Sequence, residues 1–167
     1  MSTVAGVSLE ELLAWSQESA SFWKSHLDAN PALLELPCSI GGASNVQEFV
    51  RHIWTVDLRW AQRLAALPVI GRDEAPAGPL DALYDLHLQA MEIFRGLLAG
   101  VAEKWEQPYI LEMDWVPPEF RSVSRRKVAA HTFLHSQRHW AQLATLARSA
   151  GFPSNFRGDL LFRPALR

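Results

Sequence analysis

Proline and glycine break this chain at four places and leave four long stretches with helical spacing of apolar residues between them. The breaks fall at Asn30-Pro31 and Pro37, then at Pro68, Gly71, Pro76, Gly78 and Pro79. Pro108, Pro117 and Pro118 form the third, and Gly151 with Pro153 the last. Proline cannot continue a helix and biases the residue before it away from helical geometry. Apolar residues recurring every three to four positions, with few β-branched runs, read as amphipathic helices. The first is expected over 9–28, where Ser8 and Glu11 have the spacing of a capping box. The second is expected over 45–67, with Ser44 and Gln47 in the same arrangement and Pro68 as its stop. The third opens at Pro79 and runs from 80 into the low hundreds. The fourth starts near Ser122 or Ser124 and ends before Gly151. A short extended piece is expected at 110–115. Four such helices with modest connections predict an all-α fold, a four-helix bundle, as one domain over 1–167.

Composition narrows the function classes. The chain has 167 residues, 49% of them hydrophobic, enough for a core of its own. Its 16 Lys+Arg against 18 Asp+Glu leave a net charge of −2, which argues against a dedicated nucleic-acid binder. The single cysteine, Cys38, excludes an internal disulfide and a thiolate metal site, and fits a reducing cytoplasm. Cys38 reads as a half-buried loop residue. No stretch is long and apolar enough for a membrane span, and the start of the chain lacks the pattern of a signal peptide.

The chemistry concentrates in the histidines. His131, His135 and His139 stand at i, i+4 and i+8 of the fourth helix. Each step of four advances only about 40° around the axis, so the three rings share an arc of about 80°. Val128 and Leu146 lie within that arc, so the stripe is expected to face the bundle interior. Burying each imidazole without a partner costs about 1–3 kcal/mol. One resolution is a row of core histidines bonded to carbonyls and waters. The other is a metal ion, since two histidines at i and i+4 can reach one ion together. A third ligand is available in His52, at the edge of the apolar face of the second helix. Asp57 falls inside that apolar face and needs a partner. It either orients a ligand histidine or pairs with an arginine such as Arg59 or Arg138. His87 and His26 read as structural.

These segments carry a resemblance. His131-Thr-Phe-Leu-His135-Ser-Gln-Arg-His139-Trp-Ala-Gln142, followed by Leu143 and the Arg148-Ser-Ala-Gly151 helix end, resembles the fourth helix of the DinB/YfiT-like family of metal-binding four-helix bundles. His52, Asp57 and Trp60 are similar to the family's second-helix pattern. The resemblance implies a divalent ion, zinc or nickel, held by His52, His135 and His139. His131 matches a position that is often histidine without being a ligand, and Gln142, His131 and Asp57 are candidates to support the ligands. The sequence departs from the family where Trp140-Ala141 replace Arg-Gly. The resemblance also implies a metal-dependent S-transferase that uses a low-molecular-weight thiol on an electrophilic substrate. The chain as a whole is read as a cytoplasmic homodimer.

Three histidines leave a divalent ion open to a further ligand. The rival readings are a metal-dependent hydrolase, and a metal-binding, stress-related protein without catalysis. Two further features have modest expectations. Arg121, Arg125, Arg126 and Lys127 form either a solvated basic stretch or a capture site for an acidic thiol. Gly41-Gly42 before the second helix reads as a turn. Trp140, on the helix flank with Phe133, is a candidate dimer contact.

Overall fold

The computed structural model describes residues 6–162. Residues 1–5 and 163–167, the outer ends of the expected 1–167 domain, lie outside the described residues. The chain forms α1 (Leu9–Ala29), α2 (Val46–Leu64), α3 (Leu80–Leu98) and α4 (Arg125–Ser149), with a two-stranded hairpin of β1 (Pro108–Ile110) and β2 (Ser122–Ser124) before the last helix. Both α1 and α2 pack against α3 and α4, so α1 and α2 stand diagonally across a helical bundle.

Local chemistry sets the helix ends. At the start of α1 the Glu11 amide donates to Ser8 Oγ at 3.1 Å and the Ser8 amide donates to Glu11 Oε2 at 2.6 Å, the expected capping box. On α2 the cap lies one residue later than expected. Asn45 is the last extended residue, and its side-chain oxygen accepts from the Glu48 amide at 2.8 Å. Glu48 in turn accepts from the Ser44 amide and hydroxyl, while Gln47 donates to the Ala77 carbonyl at 2.6 Å and ties down the loop before α3. The end of α2 comes at Leu64, earlier than expected. Ala66 turns left-handed at φ 56° and the Leu67 amide reaches back to the Gln62 carbonyl at 2.9 Å, closing the helix before Pro68 can clash. Gly151, at φ 85°, ends α4 in the same manner, with the Phe152 amide on the Ala147 carbonyl at 2.8 Å.

The extended piece begins earlier than expected. β1 pairs antiparallel with β2, Tyr109 opposite Val123; the Leu111 amide still donates to the Arg121 carbonyl at 2.8 Å, and residues 112–115 leave the pairing. This hairpin folds over the end of the bundle where α2 and α4 meet.

The core is aromatic. Trp23, Trp54 and Trp140 are fully buried, one from each of α1, α2 and α4. Trp140 stacks on Trp23 with centroids 5.8 Å apart and meets the edge of Trp54 at the same separation. Phe133 is buried against Phe94 of α3 at 4.8 Å. Trp140 and Phe133 are therefore core residues, which corrects the reading of Trp140 as a candidate dimer contact. The reason is the width of the buried arc on α4. This helix is wedged between α1 and α2 and buries a second row that includes Gln137, which accepts from the Ser19 hydroxyl at 3.0 Å. The interior direction is displaced accordingly. The histidine stripe is a graded flank, with His131 exposed, His135 half-buried and His139 buried. It does not point at the centre of the bundle.

Candidate metal centre

The cluster is built from two helices. His135 and His139 are one turn apart on α4, and their Nε2 atoms approach to 3.0 Å. His52 enters from α2, with ring centroids 5.3 Å from His139 and 5.7 Å from His135. One nitrogen from each ring falls in a set whose members lie within 4.8 Å of one another. Two nitrogens each bound to one zinc at about 2.0–2.1 Å and a tetrahedral angle stand about 3.3 Å apart. The pair on α4 is already near that spacing, and the full set of three is wider. The donor set therefore fits a divalent ion of the imidazole-binding kind.

Two features prepare these rings as ligands. The first is tautomer control. His139 Nδ1–H donates to Gln142 Oε1 at 2.7 Å, which leaves the Nε2 lone pair directed at His135. The second is charge. Burial pushes His52 down to about 4, helped by His139, Arg72 and Arg138. Burial pushes His135 down to about 3, helped by His139, His52, Arg138 and His131. Burial also lowers His139, against the opposing effect of its Gln142 bond. Neutral imidazole is the form that binds metal.

Behind His52 lies the Gly41-Gly42 turn, both residues left-handed at φ 64° and 81°. A Cβ on Gly41 would stand 3.4 Å from His52 Cδ2, so this turn forms a close wall against the ring. It is the turn expected from the sequence. Cys38, in the loop before it, is buried, and its amide donates to the Ser44 carbonyl at 3.0 Å.

Asp57 does neither thing expected of it. It accepts from the Ser136 hydroxyl at 2.5 Å and from His87 Nδ1–H at 3.2 Å, so it orients no ligand histidine and pairs with no arginine. Five residues separate it from His52, about 140° around α2. It consequently faces α3 and the buried row of α4. Arg59 instead donates to the Ile70 carbonyl, and Arg138 is exposed beside the histidines. The partner His87 was legible only as structural, and it is buried as such. His26 stacks on Phe22 at a centroid distance of 6.0 Å, also structural. His131 is 5.9 Å from His135 and 6.2 Å from Trp60, and lies outside the set of three.

A cavity of 670 Å³ opens onto the cluster, with His52, His135 and His131 on its wall. Its cationic lining was missed by sequence reasoning. Arg59, Arg63, Arg72 and Arg138 surround it against Glu112 and Asp114 of the hairpin side. These arginines come from α2, from the loop after it and from α4, and no local pattern announces them as a group. The three arginines of the visible basic stretch are otherwise engaged, while Lys127 lines the neighbouring space under the hairpin segment. Arg121 donates to the Val116 carbonyl at 2.9 Å, Arg125 to the Leu64 carbonyl, and Arg126 pairs with Glu106 at 2.6 Å.

Among the described residues no helix is long and apolar enough to cross a membrane. Compared with known proteins, the chain matches no family model and no curated protein.

Proposed function

We propose that this chain is a DinB/YfiT-like divalent-metal protein, and that it acts as a metal-dependent S-transferase using a low-molecular-weight thiol. The observation that carries the reading is the convergence of His52, His135 and His139, with ligand atoms within 4.8 Å, beside an open cavity that His52 and His135 line. Zinc or nickel suits three imidazoles. When bound, such an ion supplies positive charge that favours the deprotonated form of a thiol at neutral pH. The chain's own residues do the rest. Gln142 holds His139 in the ligand tautomer, and the cavity of 670 Å³ opens beside the cluster. The proposal includes a cytoplasmic homodimer.

Elemental analysis of purified native protein and of His52→Ala, His135→Ala, His139→Ala and His131→Ala tests the site. The expected result is about one divalent ion in native protein and in His131→Ala, and loss in the other three. Native protein that neither carries an ion nor takes up added zinc or nickel overturns the reading. Turnover of a general electrophile that needs both thiol and metal supports the transferase. Metal-dependent ester or amide cleavage without thiol supports a hydrolase instead. Bound metal with neither activity supports a non-catalytic metal-binding role.

A further inference from the structure

The cavity over the histidines adjoins other spaces, one beside the Gly41-Gly42 turn and one under the hairpin segment. The latter, of 330 Å³, lies between the hairpin segment and the α2–α4 seam. Its lining is mostly apolar, with Leu111, Phe120, Val123 and Val128 around it and Lys127 as its one lining lysine. Trp60, Trp115 and His131 line both spaces, so they form the partition. Both volumes lie within the range of about 300–1,000 Å³ usual for small-molecule sites. Trp115 is 73% exposed and Phe120 59% exposed, although each faces this apolar space. Large aromatic side chains left open over a concave apolar surface mark a binding face.

The cavity over the histidines differs in charge. Arg59, Arg72 and Arg138 line it, and Arg63 lies over the Trp60 ring at 5.1 Å. Among the described residues, none of these four guanidinium groups forms an ion pair with a carboxylate. Glu112 and Asp114 offset the four only in part. Guanidinium groups recognise planar oxyanions by charge-assisted hydrogen bonds. An occupant that satisfies both spaces at once has an apolar body and one anionic end.

We propose that the two spaces form a single bipartite site for a small organic anion, its aromatic or other apolar body under Trp115 and Phe120 and its oxyanion at Arg72 and Arg138. Calling that anion a substrate rests on the transferase reading; its binding does not. The charge complementarity selects an anion over a neutral or cationic molecule of the same shape. Trp115 discriminates by the size and flatness of the body, and Arg72 with Arg138 discriminate by charge.

The probe is 8-anilinonaphthalene-1-sulfonate, with N-phenyl-1-naphthylamine as the same aromatic body without the anion. Titrations follow probe fluorescence on native protein, on Trp115→Ala and on the double variant Arg72→Gln/Arg138→Gln. All three substituted side chains are exposed, and circular dichroism checks that helix content is unchanged. The sulfonate probe should bind saturably at one site, about tenfold tighter than the neutral probe. Trp115→Ala should weaken both probes by about threefold to tenfold. The double arginine variant should weaken the sulfonate by about tenfold and leave the neutral probe unchanged. Absence of saturable binding overturns the proposal. So does equal affinity for the two probes, or insensitivity to either variant. The titrations use no thiol and are repeated after chelation, so a failed transferase assay leaves their result standing.

Discussion

Asp57 of α2 accepts a hydrogen bond from His87 of α3 across 3.2 Å, with both side chains only 1% exposed. Ser136 of α4 completes the group by donating to the other carboxylate oxygen at 2.5 Å. Three helices thus meet at one carboxylate in an otherwise apolar interior. Removing it leaves two buried polar groups without their acceptor. Asp57→Ala should destabilise the fold by about 3–5 kcal/mol, and Ser136→Ala by about 1–3 kcal/mol. Urea unfolding followed by tryptophan fluorescence measures both. A loss below about 1 kcal/mol for Asp57→Ala would show that the carboxylate is not fastening the helices.

Gln142 acts on the site through His139. Its oxygen takes the Nδ1 proton at 2.7 Å and leaves Nε2 as the free donor atom for metal. Gln142→Ala should retain one metal site at saturation but bind zinc about 10–100-fold more weakly. Competition with a chromogenic chelator reads the affinity. Unchanged affinity would remove Gln142 from the site.

The histidines also predict a pH dependence for the metal-stripped protein. His52 and His135 are held down to about 4 and about 3, from an ordinary value of 6.5. In this window the unfolded chain binds more protons than the folded one, so stability rises with pH. The contribution is fully present above about pH 6.5 and is lost as pH falls toward 4 and then 3. Urea midpoints from pH 4 to pH 8 should therefore drop on the acid side, and the double variant His52→Ala/His135→Ala should drop less. Equal slopes for the two proteins would place the acid sensitivity elsewhere.

Trp140 offers a clean separation of core from interface. Its ring is sandwiched between Trp23 and Trp54 inside the bundle. Trp140→Ala should cost about 3–5 kcal/mol, and it should leave the association state unchanged under conditions where the protein stays folded. Sedimentation velocity together with denaturant melts distinguishes the two. Dissociation without loss of stability would restore the contact to a subunit interface.

The sequence was most informative where one helix carries the whole relationship. The i, i+4 spacing of His135 and His139 brings their rings together whatever else the chain does, because the helix repeat dictates it. Helix ends were legible for the same reason at Ser8–Glu11 and at Gly151, where each signal is local. The α2 cap was off by one because Ser44 and Asn45 both have capping side chains, and only the backbone decides which residue is last extended.

Between helices the sequence alone was silent or misleading. His52 was placed at an edge of its helix, and only the packing of α2 on α4 brings its ring to 5.3 Å from His139. Asp57 needs a partner, but the two it has, His87 and Ser136, are thirty and seventy-nine residues away on two other helices. A hydrophobic pattern states that a residue is buried without stating which neighbour it meets. Trp140 reads as a candidate dimer contact because a wheel drawn for one buried face misses a helix wedged between two others. The four arginines of the cavity share no local pattern, so their common field exists only in the folded chain. Helical periodicity determined the elements and the histidine pair, because backbone hydrogen bonding within one segment settles both. Tertiary structure decided the third ligand, the partners of Asp57 and the charged cavity, because each depends on which faces of different helices bury one another.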